Sequence, residues 1–172
     1  MKNKIYLIAF CFFFISINFC FSQDFQNLKN INTQIWAPFT KAYETYDYSL
    51  FASIHSLNLL RVSGDGKSIK LFSEYIEGYK NRWKNNKRTQ TISFRFLERI
   101  ANNNYASERG IYKLTMNVNI AEEKSYYGKF HVLLKQENDI WKLIMDYDSS
   151  EMYTINEASY KAAFAIDDFE KY

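Results

Sequence analysis

The sequence predicts an α+β fold: three N-terminal helices packed on the concave face of a strongly bent antiparallel sheet of four to six strands, followed by a C-terminal helical tail. Three observations carry that reading. Four strand-like runs, Thr89–Ala101, Tyr105–Asn119, Ser125–Gln136 and Ile140–Ser149, fill the C-terminal half. Three stretches with helical apolar spacing all precede them, whereas a parallel α/β sheet would need helices between its strands. Pairing the runs as successive hairpins sets their apolar residues on one face, which must be covered. A bent sheet covered by helices makes a cone, and a cone is a container.

Residues 1–22 read as a segment outside the fold. Lys2 and Lys4 form a basic start, Ile5 to Phe21 is almost wholly apolar, and Cys20-Phe21-Ser22 offers small residues for cleavage. That is the pattern of a secretory signal peptide cut after Ser22, and it implies export to the periplasm or the extracellular space. An uncleaved N-terminal anchor is the alternative, because the apolar run approaches the minimum membrane span. Neither Cys11 nor Cys20 is preceded by the small residues of a lipoprotein signal. Both cysteines fall inside this segment, so the remaining chain has no disulfide and rests on its core.

Without Lys2 and Lys4 the 22 basic residues fall to 20, against 19 acidic ones. That near-neutral balance favours neither nucleic acid nor an anionic membrane surface as a partner. Aromatic residues make up 19% of the chain, which suits a packed sheet or a pocket lining and argues against disorder.

From residue 23 the elements follow in order. Leu28, Ile31, Ile35, Phe39, Ala42 and Tyr43 keep helical spacing, with Pro38 kinking that helix or marking its effective start. A short helix from about Tyr48 to Ser56 carries Leu50, Phe51, Ile54 and His55. Leu57 to Val62 is an apolar run that Ser63-Gly64-Asp65-Gly66 ends. Ser68 reads as the N-cap of a third helix, with Phe72, Tyr75, Ile76, Tyr79 and Trp83 on one face.

The strands are placed by register. A hairpin centred on Asn103 sets Ile92, Phe94 and Phe96 opposite Leu114, Tyr112 and Gly110; one centred on Glu123 sets Leu114 opposite Val132. A two-residue turn at Asn138-Asp139 sets Leu134 against Leu143, Val132 against Met145 and Phe130 against Tyr147. The other face then carries Arg95, Lys113, Lys129, His131, Asp146 and Asp148. The domain spans residues 23–149. In the tail, residues 150–172, Thr154-Ile-Asn-Glu157 fits a capping box ahead of a helix of about four turns, folded back over the cone mouth or the outer face.

Helix, helix, turn, helix and a bent meander resemble the nuclear transport factor 2-like superfamily, in particular its SnoaL-like and related small bacterial branches. The residues that carry the resemblance are Trp36-Ala-Pro-Phe39-Thr-Lys-Ala42, Asp47-Tyr-Ser-Leu-Phe51, Arg61-Val62 before the glycine turn, Gly128-Lys-Phe130 and Trp141-Lys-Leu143. The glycine usual in the last hairpin is replaced here by Asp139 or Ile140. The resemblance covers Ile31 to Ser149 and implies a fold rather than an activity, since isomerases, dehydratases, cyclases and non-catalytic proteins share it.

Several constellations bear on chemistry. His55 is the best acid–base candidate, with Tyr43 or Asp47 beside it; a histidine hydrogen-bonded at a helix end is the plainer reading. Glu98 and Glu108 fall opposite each other in the first hairpin, as a tuned carboxyl pair would, or as solvated charges paired with Arg99 and Arg109. His131 with Asp146, and Lys129 with Asp148, read as cross-strand pairs on the outer face, without a nucleophile elbow. Asp146 and Asp148 alone are too few for a metal site. Gly64-Asp-Gly-Lys67-Ser68 lacks the glycine of a phosphate loop, since Arg61 stands there. Lys80, Arg82, Lys84, Lys87 and Arg88 complement a helix C-terminus around Trp83.

Three functions remain open. The first is a pocket that binds a small hydrophobic molecule, lined by Trp36, Tyr43, His55, Arg61, Phe94, Tyr112 and Tyr147, without cofactor or metal. The second is an interaction module, with the outer sheet face as a candidate homodimer surface. The third is an isomerase- or dehydratase-type enzyme using His55. Polar groups converging on an apolar cavity favour the enzyme, a wholly apolar cavity favours binding, and no cavity favours interaction.

Overall fold

The structure is a computed structural model that describes residues 25–172, so the signal-like segment lies outside the described residues. The first helix, α1, occupies residues 25–45. It widens into a π-helical turn at Asn32–Trp36 and continues as Ala37–Thr45. Pro38 has no N–H to give the preceding turn, and the wider turn just ahead of it absorbs that loss without breaking the helix. Leu28, Ile31, Ile35, Trp36, Phe39 and Ala42 form its buried stripe. Tyr46, at φ 56°, ends it in the left-handed region.

Asp47 then caps α2 (Tyr48–Ser53) by accepting from the Leu50 N–H at 2.9 Å. That helix is shorter than the sequence predicts, and His55 begins a strand instead. Strand β1 (His55–Ser63) turns through Gly64–Lys67 into β2 (Ser68–Leu71), and only then does α3 (Phe72–Trp83) start. Ser68 is therefore a strand residue paired with Ser63, not a helix cap. Strands β3 (Gln90–Ala101), β4 (Tyr105–Met116), β5 (Lys124–Glu137) and β6 (Ile140–Ser149) follow.

All six strands form one sheet in the order β2-β1-β6-β5-β4-β3. The four long runs pair antiparallel as expected, but β1 lies parallel to β6, so the sheet is mixed rather than purely antiparallel. The helices cover its concave face, where Phe51, Phe96, Leu59, Leu134 and Leu143 are completely buried. Each such side chain contributes roughly 1.5–3 kcal/mol.

Register decides what the concave face carries. In the first hairpin Ile92, Phe94 and Phe96 sit opposite Leu114, Tyr112 and Gly110, as the sequence predicts. Leu97 is then an extra residue, and beyond it Arg99 rather than Glu98 faces Glu108. In the second hairpin Leu114 faces Tyr126, not Val132, because β5 begins at Lys124 and the turn centres on Ile120. That shift is an even number of residues, so the faces survive it. In the third, Asn138 and Asp139 have φ of 51° and 64°, the pattern of a type I′ turn, and Leu134 faces Leu143. Ile144 is a second bulge. It sets Val132 against Asp146 and Phe130 against Asp148, replacing the predicted partners Met145 and Tyr147.

The tail docks differently from the predicted long helix. Asn156, not Thr154, caps it, with Ser159 completing the capping box, and α4 (Glu157–Ala162) lasts under two turns. Phe164 then bridges to Phe96 on the free edge of β3 through two main-chain hydrogen bonds of 2.8 Å. A short 3-10 turn, Phe169–Lys171, brings Phe169 and Tyr172 against the core. The short helix itself lies on the outer face, as expected, where the Tyr160 hydroxyl donates to Ser93 Oγ at 2.9 Å and its ring packs near Tyr127; the Phe164 bridge then satisfies part of an open sheet edge.

Candidate functional site

Between the helices and the concave face lies a cavity of about 210 Å³. Its walls come from every layer: Trp36, Phe39 and Tyr43 of α1, Tyr75 and Tyr79 of α3, and Ile92, Phe94, Tyr112, Leu114, Phe130 and Val132 of the meander. The aromatic rings fix one another. Trp36 lies 4.5 Å from Phe94 and 5.2 Å from Phe130 between centroids, and Phe39 stacks on Tyr43 at 5.3 Å. Gly128, directly opposite Tyr112, makes room for that ring: a Cβ there would come within 2.5 Å of it.

One end of the cavity is polar. Arg61 of β1 lies between two carboxylates of β6, its Nη2 2.5 Å from Asp148 Oδ1 and its Nε 3.6 Å from Asp146 Oδ2. The Tyr75 hydroxyl donates to Asp146 Oδ2 at 3.0 Å, and the Arg61 guanidinium stands over the Tyr75 ring at 5.2 Å. Beside them the hydroxyls of Tyr43 and Tyr79 share a hydrogen bond of 2.5 Å.

Burial and charge set the proton affinities here. Burial raises the carboxyl of Asp148, and Asp146 adds to the rise while Arg61 opposes it. Burial would lower the Arg61 guanidinium, but Asp146, Tyr75 and Asp148 outweigh it and hold it protonated. Burial raises the phenols of Tyr43 and Tyr75 well above their ordinary value. The end therefore holds one guanidinium, two carboxyl groups and neutral hydroxyls.

Of the residues singled out from sequence, Trp36, Tyr43, Arg61, Phe94 and Tyr112 meet at this cavity. Three others do not. His55 is buried beneath it, its Nδ1 2.7 Å from the Phe51 carbonyl oxygen and its ring packed against Phe51 and Tyr75. Its Nε2 has no partner, and burial lowers its pKa to about 4. Asp47 is an exposed helix cap. Tyr147 points to the outer face, toward Val62 and Met145, because the Ile144 bulge reverses the alternation of β6.

The same bulge brings in Asp146 and Asp148, which simple alternation places outside. Leu143-Ile144-Met145, three apolar residues running, is the sequence signal for it. No third histidine, cysteine or carboxylate joins them in a metal-binding cluster among the described residues. The Glu98–Glu108 pair also dissolves. Glu98 pairs with Arg109 at the surface, and Glu108 is buried against Arg99 at 2.7 Å. His131 meets Ser107 at 2.9 Å on the outer face instead of Asp146.

No protein-family model matches the chain, and no curated protein matches it either. Solved structures do. An NTF-2-like protein of unknown function from Shewanella oneidensis MR-1 superposes with a TM-score of 0.58 at 18% identity, over 70% of this chain and 97% of its own. An NTF2-like protein of unknown function from Pseudomonas putida KT2440 gives 0.62 at 11% identity, over 74% and 88%. A candidate dehydratase from the NTF2-like family of Streptomyces avermitilis gives 0.58 at 13% identity, over 72% and 95%. At such identities the likeness speaks for architecture alone, and the chain has the nuclear transport factor 2-like fold.

Proposed function

We propose that this protein binds a small, largely apolar molecule in the cavity and holds one polar group of it at the Arg61–Asp146–Asp148 end. One observation carries the reading: an aromatic cavity ends on a charge cluster whose Arg61 side chain is only 12% exposed. Apolar residues would seal that end with less desolvation cost, so the cluster is retained for something other than stability. The volume lies below the roughly 300–1,000 Å³ of drug-sized sites, which points to a compact ligand.

Titrating small aromatic compounds into the protein tests this, with the Trp36 indole N–H followed by NMR. Binding should shift that resonance together with Tyr112 and Phe94. Binders that shift only outer-face residues, or no binder at all, would sink the reading.

A second reading, an isomerase- or dehydratase-type enzyme, is favoured by the polar groups that converge on the cavity, with Asp148 as its acid–base group; binding stands first because His55, the acid–base group expected from sequence, does not line the cavity. The raised carboxyl of Asp148, anchored to Arg61 through one oxygen, is placed to exchange a proton with a bound molecule, as an isomerase or dehydratase requires. Solvent-deuterium exchange into a bound ligand would detect it. Export belongs to the same proposal, supported by Lys2, Lys4 and the apolar run to Phe21. N-terminal sequencing of the exported protein should begin at Gln23. A homodimer through the outer face is supported by the hollow among Val62, Leu97, Met145 and Tyr147, and light scattering tests it.

A further inference from the structure

We infer that the ligand is a small organic amine bound as its ammonium cation; this rests on the cavity being a binding site and names the class of molecule it takes. Two carboxylate oxygens at the polar end are unmet acceptors. Asp148 uses Oδ1 for Arg61, and Asp146 uses Oδ2 for Tyr75 and Arg61. Neither Asp148 Oδ2 nor Asp146 Oδ1 has a hydrogen-bonding partner among the described residues. An ionised carboxylate only accepts, so these oxygens call for a donor. Arg61 does not supply it: its Nη1 is committed to the main-chain oxygens of Val62 and Asp146 and its Nη2 to Asp148 Oδ1, while its Nε, buried without a hydrogen-bond partner, stands 3.6 Å from Asp146 Oδ2.

Charge points the same way. Asp146, Asp148 and Arg61 are the charged side chains in the cavity wall, two negative against one positive. An anionic ligand would add to the excess, a neutral one would leave it, and a cation removes it. The rest of the wall is largely aromatic, and ring faces attract cations: Trp36, Phe94 and Tyr112 line the same cavity as these carboxylates. An ammonium group supplies both the charge and the N–H donors, in charge-assisted bonds that are the stronger kind. The apolar body of the amine then fills the aromatic cavity that Phe94, Tyr112 and Leu114 help to line.

Three matched probes decide it by calorimetry on the purified protein at neutral pH: benzylamine, benzyl alcohol and benzoate. Benzylamine should bind at least tenfold more tightly than benzyl alcohol, with benzoate weakest. Asp148→Asn, checked for an unchanged fold by its melting curve, should bring benzylamine down to the level of the alcohol. Benzyl alcohol or benzoate binding as well as benzylamine overturns the amine and leaves the cavity reading standing. If none of the three binds, both fall. A benzylamine preference that survives Asp148→Asn also overturns the inference. The comparison of probes on the unmodified protein decides the matter even if the variant does not fold.

Discussion

The indole N–H of Trp36 donates to Glu108 Oε2 at 2.6 Å, joining the cavity wall to a buried ion pair. Glu108 and Arg99 both have fully buried side chains, and Arg99 goes on to bond Asn32 Oδ1 at 2.6 Å and the Ile166 carbonyl at 2.7 Å. Burial raises the Glu108 carboxyl, while Arg99 and the indole pull it back. One carboxylate thus orients a cavity ring, and its partner ties down helix α1 and the tail.

Removing Glu108 should therefore be costly. Glu108→Ala leaves a buried guanidinium without its counter-charge and should lower stability by about 3–5 kcal/mol in urea denaturation. Glu108→Gln keeps an acceptor for the indole and should cost less. Equal losses for the two variants would mean that charge pairing at this site is unimportant.

The tail should be part of the folded unit. Truncation after Ser150 removes the Phe96–Phe164 bridge and the Ala163 and Ile166 carbonyls that accept from Arg95 and Arg99. Arg99 is the buried one of the two, and a buried donor left without a partner costs roughly 1–3 kcal/mol. The truncated protein should melt lower and bind hydrophobic dye, and in the full chain the amides of Phe96 and Phe164 should resist exchange. Rapid exchange at both amides would show that the tail is not docked.

His55 gives the protein a predicted acid sensitivity. Its folded pKa of about 4 lies below the ordinary 6.5, chiefly through burial, with Arg61 and Lys142 adding to the drop. Between those values the unfolded chain binds a proton that the folded chain refuses. The contribution is therefore complete above pH 6.5 and is lost as pH falls toward 4, by about 3 kcal/mol in all. The raised carboxyls of Glu108 and Asp148 act in the opposite sense, so the comparison must isolate the histidine. Stability measured from pH 7 to 4 should fall more steeply for the native chain than for His55→Leu. Parallel curves would contradict it.

How much of this could be read from the chain is decided residue by residue. Period-two alternation located the four long strands and the Asn138-Asp139 turn, because each is a local signal. The strand part of the aromatic wall follows from the same alternation, which points to Phe94 and Tyr112, whereas Trp36 lies on a helix and rests on the resemblance. The carboxylates were assigned to the wrong face because one extra residue, Ile144, inverts everything after it. Tyr75 and Tyr79 were visible as a helix face, but their closeness to Asp146 depends on how α3 sits over β1, a tertiary fact with no local code. His55 drew attention as a rare titratable residue, and it was the main-chain oxygen of Phe51 that claimed it.

Gly128 offers a test of the wall itself. A methyl group there collides with the Tyr112 ring, which can turn away only by leaving its place in the cavity. Gly128→Ala should cost about 1–3 kcal/mol of stability and reduce binding of small aromatic ligands by roughly tenfold. A variant that binds normally would show that Tyr112 does not shape the site.

The charge cluster should separate function from stability. Arg61→Leu alone strands the buried Asp146 carboxylate beside the partly exposed Asp148 and should destabilise by about 3 kcal/mol. Replacing all three together, Arg61→Leu with Asp146→Leu and Asp148→Leu, removes the desolvation cost along with the attraction; the Tyr75 hydroxyl loses its acceptor, and the Val62 and Asp146 main-chain oxygens lose the Arg61 donor. Such exchanges are often neutral or stabilising by roughly 1–4 kcal/mol. The triple variant should thus melt at or above the native temperature while failing to bind benzylamine in calorimetry. A triple variant far less stable than the native chain would mean that the cluster is structural. One that still binds benzylamine would mean that the aromatic walls suffice, and the polar end would lose its assigned role.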